Sequence, residues 1–303
     1  MTNITLTEVG DSLATIVAAQ ALGYLKANTV LTQLVARNWE NEIAMYGQTV
    51  KIPFTGSLSV NDKAANTVVT LQNPNDTAVS VTLDKHKEVS FLIEDTARAM
   101  ARPDYLTAYI TDSMAKVAEQ IDSDLAALYT GFSQTIDATA GLTEATFREA
   151  RRQLNAAKAT LGDRVAVLHE DAEYELLAID RFVNRDYAEL QGAPQGLLNA
   201  YTGRFMGFDV YMDQQIPVVT GTPNQAKNLF FQRNAIVLAT RPLPQASAGT
   251  GVAQIVMNED GIGLRVTLSY SPNHLGMQAT IDVLYGVNEL RDNHGVVVST
   301  TEI

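Results

Sequence analysis

The sequence contains no cysteine. That removes disulfides, thiol catalysis, zinc ribbons and thiolate-held iron–sulfur clusters together. Charge is sparse, with 18% Asp, Glu, Lys and Arg, and positive charge is sparser still: 22 Lys and Arg stand against 34 Asp and Glu, a formal net charge of −12. A module that reads DNA carries a basic patch, and this balance argues against one. Aromatic residues make up 7% and are not interleaved with Lys or Arg, so no stacking platform for single strands is indicated. No apolar run approaches the roughly 18 residues that a membrane span needs. No basic residue precedes Lys26, so a secretory signal is not expected. Motifs of common chemistries are missing as well. There is no Gly-Lys-Ser/Thr phosphate cradle and no Gly-x-Ser-x-Gly elbow, and Gly249-Thr250-Gly251 lacks the third glycine of a dinucleotide fingerprint.

What the chain does have is apolar mass. Its 303 residues are 46% apolar, enough for one elaborate domain or two ordinary ones. Leu13, Val17, Ala21 and Leu25 form one helical stripe, interrupted by Gly23, and Thr29 to Tyr46 reads as a second amphipathic helix through Leu31, Leu34, Val35 and Trp39. Such stripes by themselves indicate ordinary core. From Gly47 the period changes to two. Thr49–Phe54, Thr67–Leu71, Ala78–Leu83 and Lys87–Ile93 are strand candidates, with Pro53 marking an edge and Asn73-Pro74-Asn75-Asp76 a turn. A hairpin of this length is not stable alone in water and needs a support.

The clearest element runs from Pro103 to Gly131. Leu106, Ile110, Met114, Val117, Ile121, Leu125 and Leu128 recur at steps of three and four, a continuous stripe on one helix of roughly 40 Å. A second helix is expected over 142–162, capped by Thr143 and stopped by Gly162, with the stripe Phe147, Ala150, Leu154, Ala157, Leu161. The strand Arg164–His169 and a short helix Asp171–Ile179 follow, an order that implies α+β. Residues 180–203 read as loop and Phe205–Met212 as one strand. Asn228–Thr240 reads as a strand, a turn at Arg233-Asn234 and a buried element of open type. Val252–Met257, Ile262–Tyr270 and Met277–Tyr285 are strands, with a turn at Ser271-Pro272-Asn273.

Candidate chemistry is thin. His169-Glu170-Asp171-Ala172-Glu173 has Glu173 where a zinc-protease helix needs its second imidazole, so it reads as a capped helix start. His86, His169, His274 and His294 have no ligand spacing. Asp122 and Asp124 are two apart on a helix, point to different faces and do not chelate together. If they touch a neighbouring copy, charge reversal there disturbs assembly more than folding. Asn258-Glu259-Asp260-Gly261 lacks the spaced ligands of a calcium loop and reads as a turn. No catalytic, cofactor-binding or metal-ligating residue is nominated.

The order of elements nevertheless resembles one family, together with the phrases Val35-Ala36-Arg37-Asn38-Trp39-Glu40, Gly47-Gln48-Thr49-Val50-Lys51-Ile52-Pro53, Gln120-Ile121-Asp122-Ser123-Asp124-Leu125, Gly207-Phe208-Asp209-Val210 and Asn228-Leu229-Phe230-Phe231 with Ala235-Ile236-Val237-Leu238. The chain is similar to the major capsid proteins of tailed bacteriophages, whose fold was first named for a Hong Kong phage, and closest to the coat-protein branch. The resemblance implies an α+β fold with an N-terminal helical arm (1–46), an extended β-hairpin loop (47–93), a peripheral domain (94–203) containing a spine helix (103–130), and an axial domain with the C-terminal strands (204–303). It implies a non-enzymatic, cofactor-free coat protein whose hexamers and pentamers close into an icosahedral head around double-stranded DNA. The DNA is held without sequence-specific binding, and no membrane is involved. The implied site is the virion, after assembly in the host cytoplasm. Partners would be other copies, a separate scaffolding protein, a portal and, as a further candidate, a decoration protein. The chain has no room for the inserted β-barrel of some relatives, 46 residues are too few for a fused scaffold, and no Lys–Asn pair is marked as a cross-link. The acidic balance suits a lumen in which packaged DNA stays mobile. Two alternatives remain open: an encapsulin-like nanocompartment shell, and an enzyme whose site is assembled from scattered Asp, Glu and His.

Overall fold

The computed structural model describes residues 21, 29–37, 49–54, 58–73, 76–95, 105–179, 201–245, 253–259 and 262–302. The chain is α+β. Its helices are α1 (Leu31–Leu34), α2 (Tyr105–Ala126), α3 (Glu144–Ala156) and α4 (Glu170–Leu177). Its strands are β1 (Thr49–Phe54), β2 (Thr77–Thr82), β3 (Lys85–Glu94), β4 (Gln134–Ala138), β5 (Arg164–Leu168), β6 (Tyr201–Phe205), β7 (Phe208–Met212), β8 (Val218–Val219), β9 (Gln225–Gln232), β10 (Ile236–Arg241), β11 (Ala253–Glu259), β12 (Ile262–Ser271), β13 (Gly276–Glu289) and β14 (Gly295–Thr301).

These strands form three sheets. β1 and β2 pair antiparallel on their own. In a five-stranded antiparallel sheet, β13 carries β12 along residues 276–282, β3 along its other edge, and β10 at residues 284–289. β11 closes this sheet beyond β12. A seven-stranded mixed sheet runs β4-β14-β9-β5-β7-β6, with β8 on β9. The mixed sheet takes strands from both sides of residue 203, because β9 and β14 return to lie beside β5 and β4.

Helix α2 is the element that the periodicity predicted. Ile110, Met114, Val117, Ile121 and Leu125 are all buried. The α-helix stops at Ala126, where a 3-10 turn, Ala127–Gly131, takes over, so its 22 residues give about 33 Å rather than 40 Å. The stripe packs between the two large sheets, against Val165, Val167, Leu229 and Phe231 on one side and Val266, Ile281, Val283 and Tyr285 on the other.

The mixed sheet is covered on both faces, which explains why β5 is buried at every position. Val165 and Val167 turn toward α2, while Ala166 and Leu168 turn toward a second core with α3 and α4. That second core centres on Phe147, whose ring meets Phe205 and Phe230 edge-on, each at 5.0 Å between centroids. A third, smaller core joins Val50, Ile52, Val81 and Leu83 to Ala36, Val237, Ala239 and Leu290.

Several expectations are corrected. Of the helix expected over Thr29–Tyr46, residues 38–46 lie outside the described residues, and 29–37 hold a single helical turn, Leu31–Leu34. Val35 is already extended, and Ala36 bridges to β10 by donating to Ile236 O (3.0 Å) and accepting from Leu238 N (3.1 Å). Trp39 and Glu40 lie outside the described residues. Helix α3 ends at Ala156, not Gly162. Lys158 adopts φ +58°, and Lys158 N–H and Ala159 N–H donate to Asn155 O and Leu154 O, the paired bonds of a Schellman end. Leu161 is therefore exposed, not part of the stripe. Phe205–Met212 is not one strand but the close of a hairpin, reversed at Met206 (φ +49°) and Gly207 (φ +87°), the backbone signature of a type I′ turn. Thr67–Leu71 forms no strand, since nothing among the described residues offers it a face to bury. The buried element after Arg233-Asn234 is strand β10, and strands β4 and β14 were not expected at all.

Candidate functional site

Two features stand out: a loop whose apolar side chains are exposed and a buried acid that holds a chain segment. The first is the loop between β1 and β2. Every described residue from 58 to 73 is exposed. The exposed residues include Leu58, Val60, Val68, Val69 and Leu71, with Val60 wholly exposed. The two limbs of the loop are held together by one side chain. Ser59 N–H and Oγ donate to Gln72 Oε1 at 2.7 and 3.0 Å, and Gln72 Nε2 donates to Ser59 O at 2.6 Å. The base is firm: Val50 and Ile52 enter the third core, and the Arg291 guanidinium lies 5.1 Å over the Phe54 ring. Pro53, which cannot donate to a ladder, sits on β1, which among the described residues pairs with β2 alone. The result is an anchored rod carrying apolar side chains that the subunit does not cover. Burying one Val or Leu is worth roughly 1.5–3 kcal/mol, so a surface supplied by another molecule has several such contributions to gain.

The second feature is a clamp on the segment 29–36. Asp122 of α2 is 2% exposed. Its Oδ2 accepts from Val30 N–H at 2.7 Å, and its Oδ1 accepts from Thr32 N–H and Thr32 Oγ1 at 3.2 and 3.3 Å. It thus satisfies N–H groups that open the α1 turn, where an N-terminal side-chain cap is lacking. Burial pushes its pKa up, repulsion from Asp213 adds to that, and the three donors oppose it. Asp213, just after β7, is buried as well, and burial raises its pKa.

Asp124 faces elsewhere. It accepts from Tyr285 Oη at 2.6 Å and lies 3.4 Å from Lys85 Nζ. Burial, and then the bond to Asp124, hold the Tyr285 hydroxyl well above its usual range. The two acids do point to different faces. Asp122 is buried and its partners are internal, so it offers nothing to a neighbouring copy, whereas Asp124 is half-buried beside Tyr285 and Lys85. Sequence reasoning missed the clamp. Its trace is the row Ala118, Asp122, Ala126 at intervals of four, all buried, where small neighbours leave room for a chain segment to approach.

The other candidates are separated by the fold. His86 Nε2 lies 2.9 Å from Asp282 Oδ2, and Arg265 Nε donates to Asp282 Oδ1 at 3.0 Å. His169 is the N-cap of α4, accepting from Asp171 N–H, and Glu173 accepts from Thr202 Oγ1 at 2.6 Å. His274 is exposed in the turn after β12. His294 is buried, and burial followed by repulsion from Arg291 lowers its pKa. Asp260 and Gly261 lie outside the described residues. Among the described residues, no group of three or more His, Asp or Glu side chains is arranged to hold a metal ion, and no helix is long and apolar enough to cross a membrane.

No family model matches the chain, and no curated protein matches it. Solved structures do. The chain is similar to a structure of Mycobacterium phage Che8 (18% identity, 89% of this chain and 90% of that one, TM-score 0.63). It is similar to the capsid of the cyanophage P-SCSP1u (15%, 91% and 89%, TM-score 0.64). It is also similar to an encapsulin complex from Synechococcus elongatus (12%, 88% and 85%, TM-score 0.55). At these identities the likeness is one of fold, and it spans nearly the whole of each chain: the α+β architecture of this protein is shared with these phage and encapsulin chains.

Proposed function

We propose that this chain is a major capsid protein, whose copies close into the icosahedral head of a tailed phage around its double-stranded DNA. The observation that carries the reading is the shared fold with phage capsid chains over about nine-tenths of both lengths. Fold alone does not assign function, and the loop at 58–73 adds a reason that belongs to this chain. Exposed Leu58, Val60, Val68, Val69 and Leu71 on an anchored rod make poor sense in a solitary subunit and good sense where a neighbouring copy covers them. The role is structural rather than catalytic.

In this reading residues 1–46 are the arm, 47–93 contain the extended loop and 103–130 the spine. The peripheral and axial parts divide by sheet rather than at residue 203: the five-stranded sheet with the spine forms one, the mixed sheet with α3 and α4 the other. Hexamers and pentamers of the chain, a separate scaffolding protein, a portal and a decoration protein complete the head. The protein resides in the virion after assembly in the host cytoplasm, and the net charge of −12 favours a lumen that does not grip DNA.

Electron microscopy of the purified chain, alone and co-expressed with the scaffolding protein of its own genome, tests this. Closed shells of uniform size are expected. A chain that stays monomeric in both conditions overturns the proposal. The likeness to the Synechococcus encapsulin favours a second reading, a nanocompartment shell. Shells that form without a scaffold and retain a co-purifying protein cargo would select it.

A further inference from the structure

Beyond shell formation, the clamp on residues 29–36 carries an inference of its own. Asp122 and Asp213 are 2% and 6% exposed, their chain neighbours Ile121, Tyr211 and Ile216 lie in one core, and repulsion from Asp213 raises the pKa of Asp122. Among the described residues no Lys, Arg or His forms an ion pair with either. Asp213 is held in place, since its N–H donates to Leu168 O at 3.0 Å and its Oδ1 accepts from Gln215 N–H at 2.9 Å. Its Oδ2 is buried with no hydrogen-bond partner. Two neighbouring buried carboxylates without a counter-charge are costly, and an orphaned carboxyl oxygen is far cheaper to bury protonated than ionised. Asp122 is the better candidate for the negative form, because three donors converge on it.

We infer that the Asp122 and Asp213 pair carries a single proton, held on one carboxyl and not in a bond between them, that this proton fastens residues 29–36 to the long helix, and that its loss in alkaline solution loosens the segment. The groups facing the pair are few. On α2 itself, Asp124 points away to Tyr285 and Lys85. Among the described residues, the segment contributes the Thr32 hydroxyl and the Val30 and Thr32 N–H groups. Beyond β9, Arg233 Nε donates to Val35 O at 3.4 Å, at the far end of the segment. The direction of the effect follows from linkage. A carboxyl whose folded-state pKa lies above its unfolded value, about 3.9, contributes stability that is complete below that value and is lost as pH rises through the folded one. The pair therefore holds at acidic and neutral pH and fails as the second carboxylate ionises.

Hydrogen exchange on the purified full chain tests this, corrected for the intrinsic pH dependence of exchange. Between about pH 6 and about pH 9.5 the protection of the 29–36 peptide is expected to fall at least about tenfold, while β9 and β14 keep theirs. Asp213→Asn keeps the shape and removes the second ionisation, so its segment stays protected at the alkaline end. Protection that is flat in the wild type, or that falls equally in Asp213→Asn, overturns the inference. Should the variant not fold, infrared spectroscopy of the wild type decides. A protonated-carboxyl band is expected near pH 7, absent at the alkaline end, and no such band near pH 7 overturns the inference.

Discussion

A Cβ placed on Gly286 would stand 2.1 Å from Thr82 O and 3.2 Å from Leu83 Cα. The obstacle is backbone, so no rotamer change relieves it. Gly286 is therefore the point at which the turn between β2 and β3 lies down on β13, and it ties the exposed loop's base to the five-stranded sheet. Gly286→Ala is expected to destabilise the subunit by about 1–3 kcal/mol, the ordinary cost of overpacking. The effect should appear as a lower urea midpoint at unchanged slope. Gly162 has nothing within 4 Å of the same imagined atom. Gly162→Ala is the control, expected to stay within about 0.5 kcal/mol. Neither difference is legible in the sequence, where both residues are glycines beside polar or apolar runs. The same holds for Asp122: its helix and its face follow from periodicity, but its partners Val30 and Thr32 lie some ninety residues away.

At the scale of elements, what was legible is what repeats. Helix α2 declares itself through six apolar residues, Leu106 to Leu125, at steps of three and four, and β12 and β13 through β-branched runs separated by Ser271-Pro272-Asn273. What was not legible turns on single unusual backbones and on distant partners. The hairpin of β6 and β7 reverses on Met206 and Gly207, both at positive φ, and methionine is not a residue that advertises such a turn. β14 carries Val296-Val297-Val298 yet is a strand only because β4 and β9 flank it. Helix α3 ends on Lys158 at φ +58°, a position where glycine is the usual occupant because a Cβ is penalised there. Lys158→Gly is accordingly expected to stabilise the subunit, by roughly 0.5–1 kcal/mol. A raised urea midpoint would show it. An unchanged or lowered midpoint would mean that the lysine side chain supplies something the backbone geometry does not reveal.

The scale of the whole molecule is where folding and function separate. Phe147, Phe230, Val167 and Ile281 are wholly buried and hold the subunit together, so changes there are felt as lost stability. Leu58, Val60, Val68, Val69 and Leu71 make no such contribution, being between 60% and 100% exposed. They were also the residues hardest to read. The alternation at Thr67–Leu71 looks like a strand with a face to bury, yet among the described residues the subunit supplies no surface for it. If that missing surface belongs to a neighbouring copy, the alternation is a pattern written for the assembly rather than for the monomer. Replacing the five residues together by serine separates the two roles. The monomer should keep its unfolding midpoint to within about 0.5 kcal/mol, because surface changes away from caps and cores cost little. Shell formation should fail or give open and irregular particles, because each contact repeats at every copy and its loss is multiplied over the lattice. Sedimentation and electron microscopy would read the second effect, and urea unfolding of the dissociated chain the first. Normal shells from this variant would show that the loop is not an assembly contact, and a large loss of subunit stability would show that these side chains serve the fold itself.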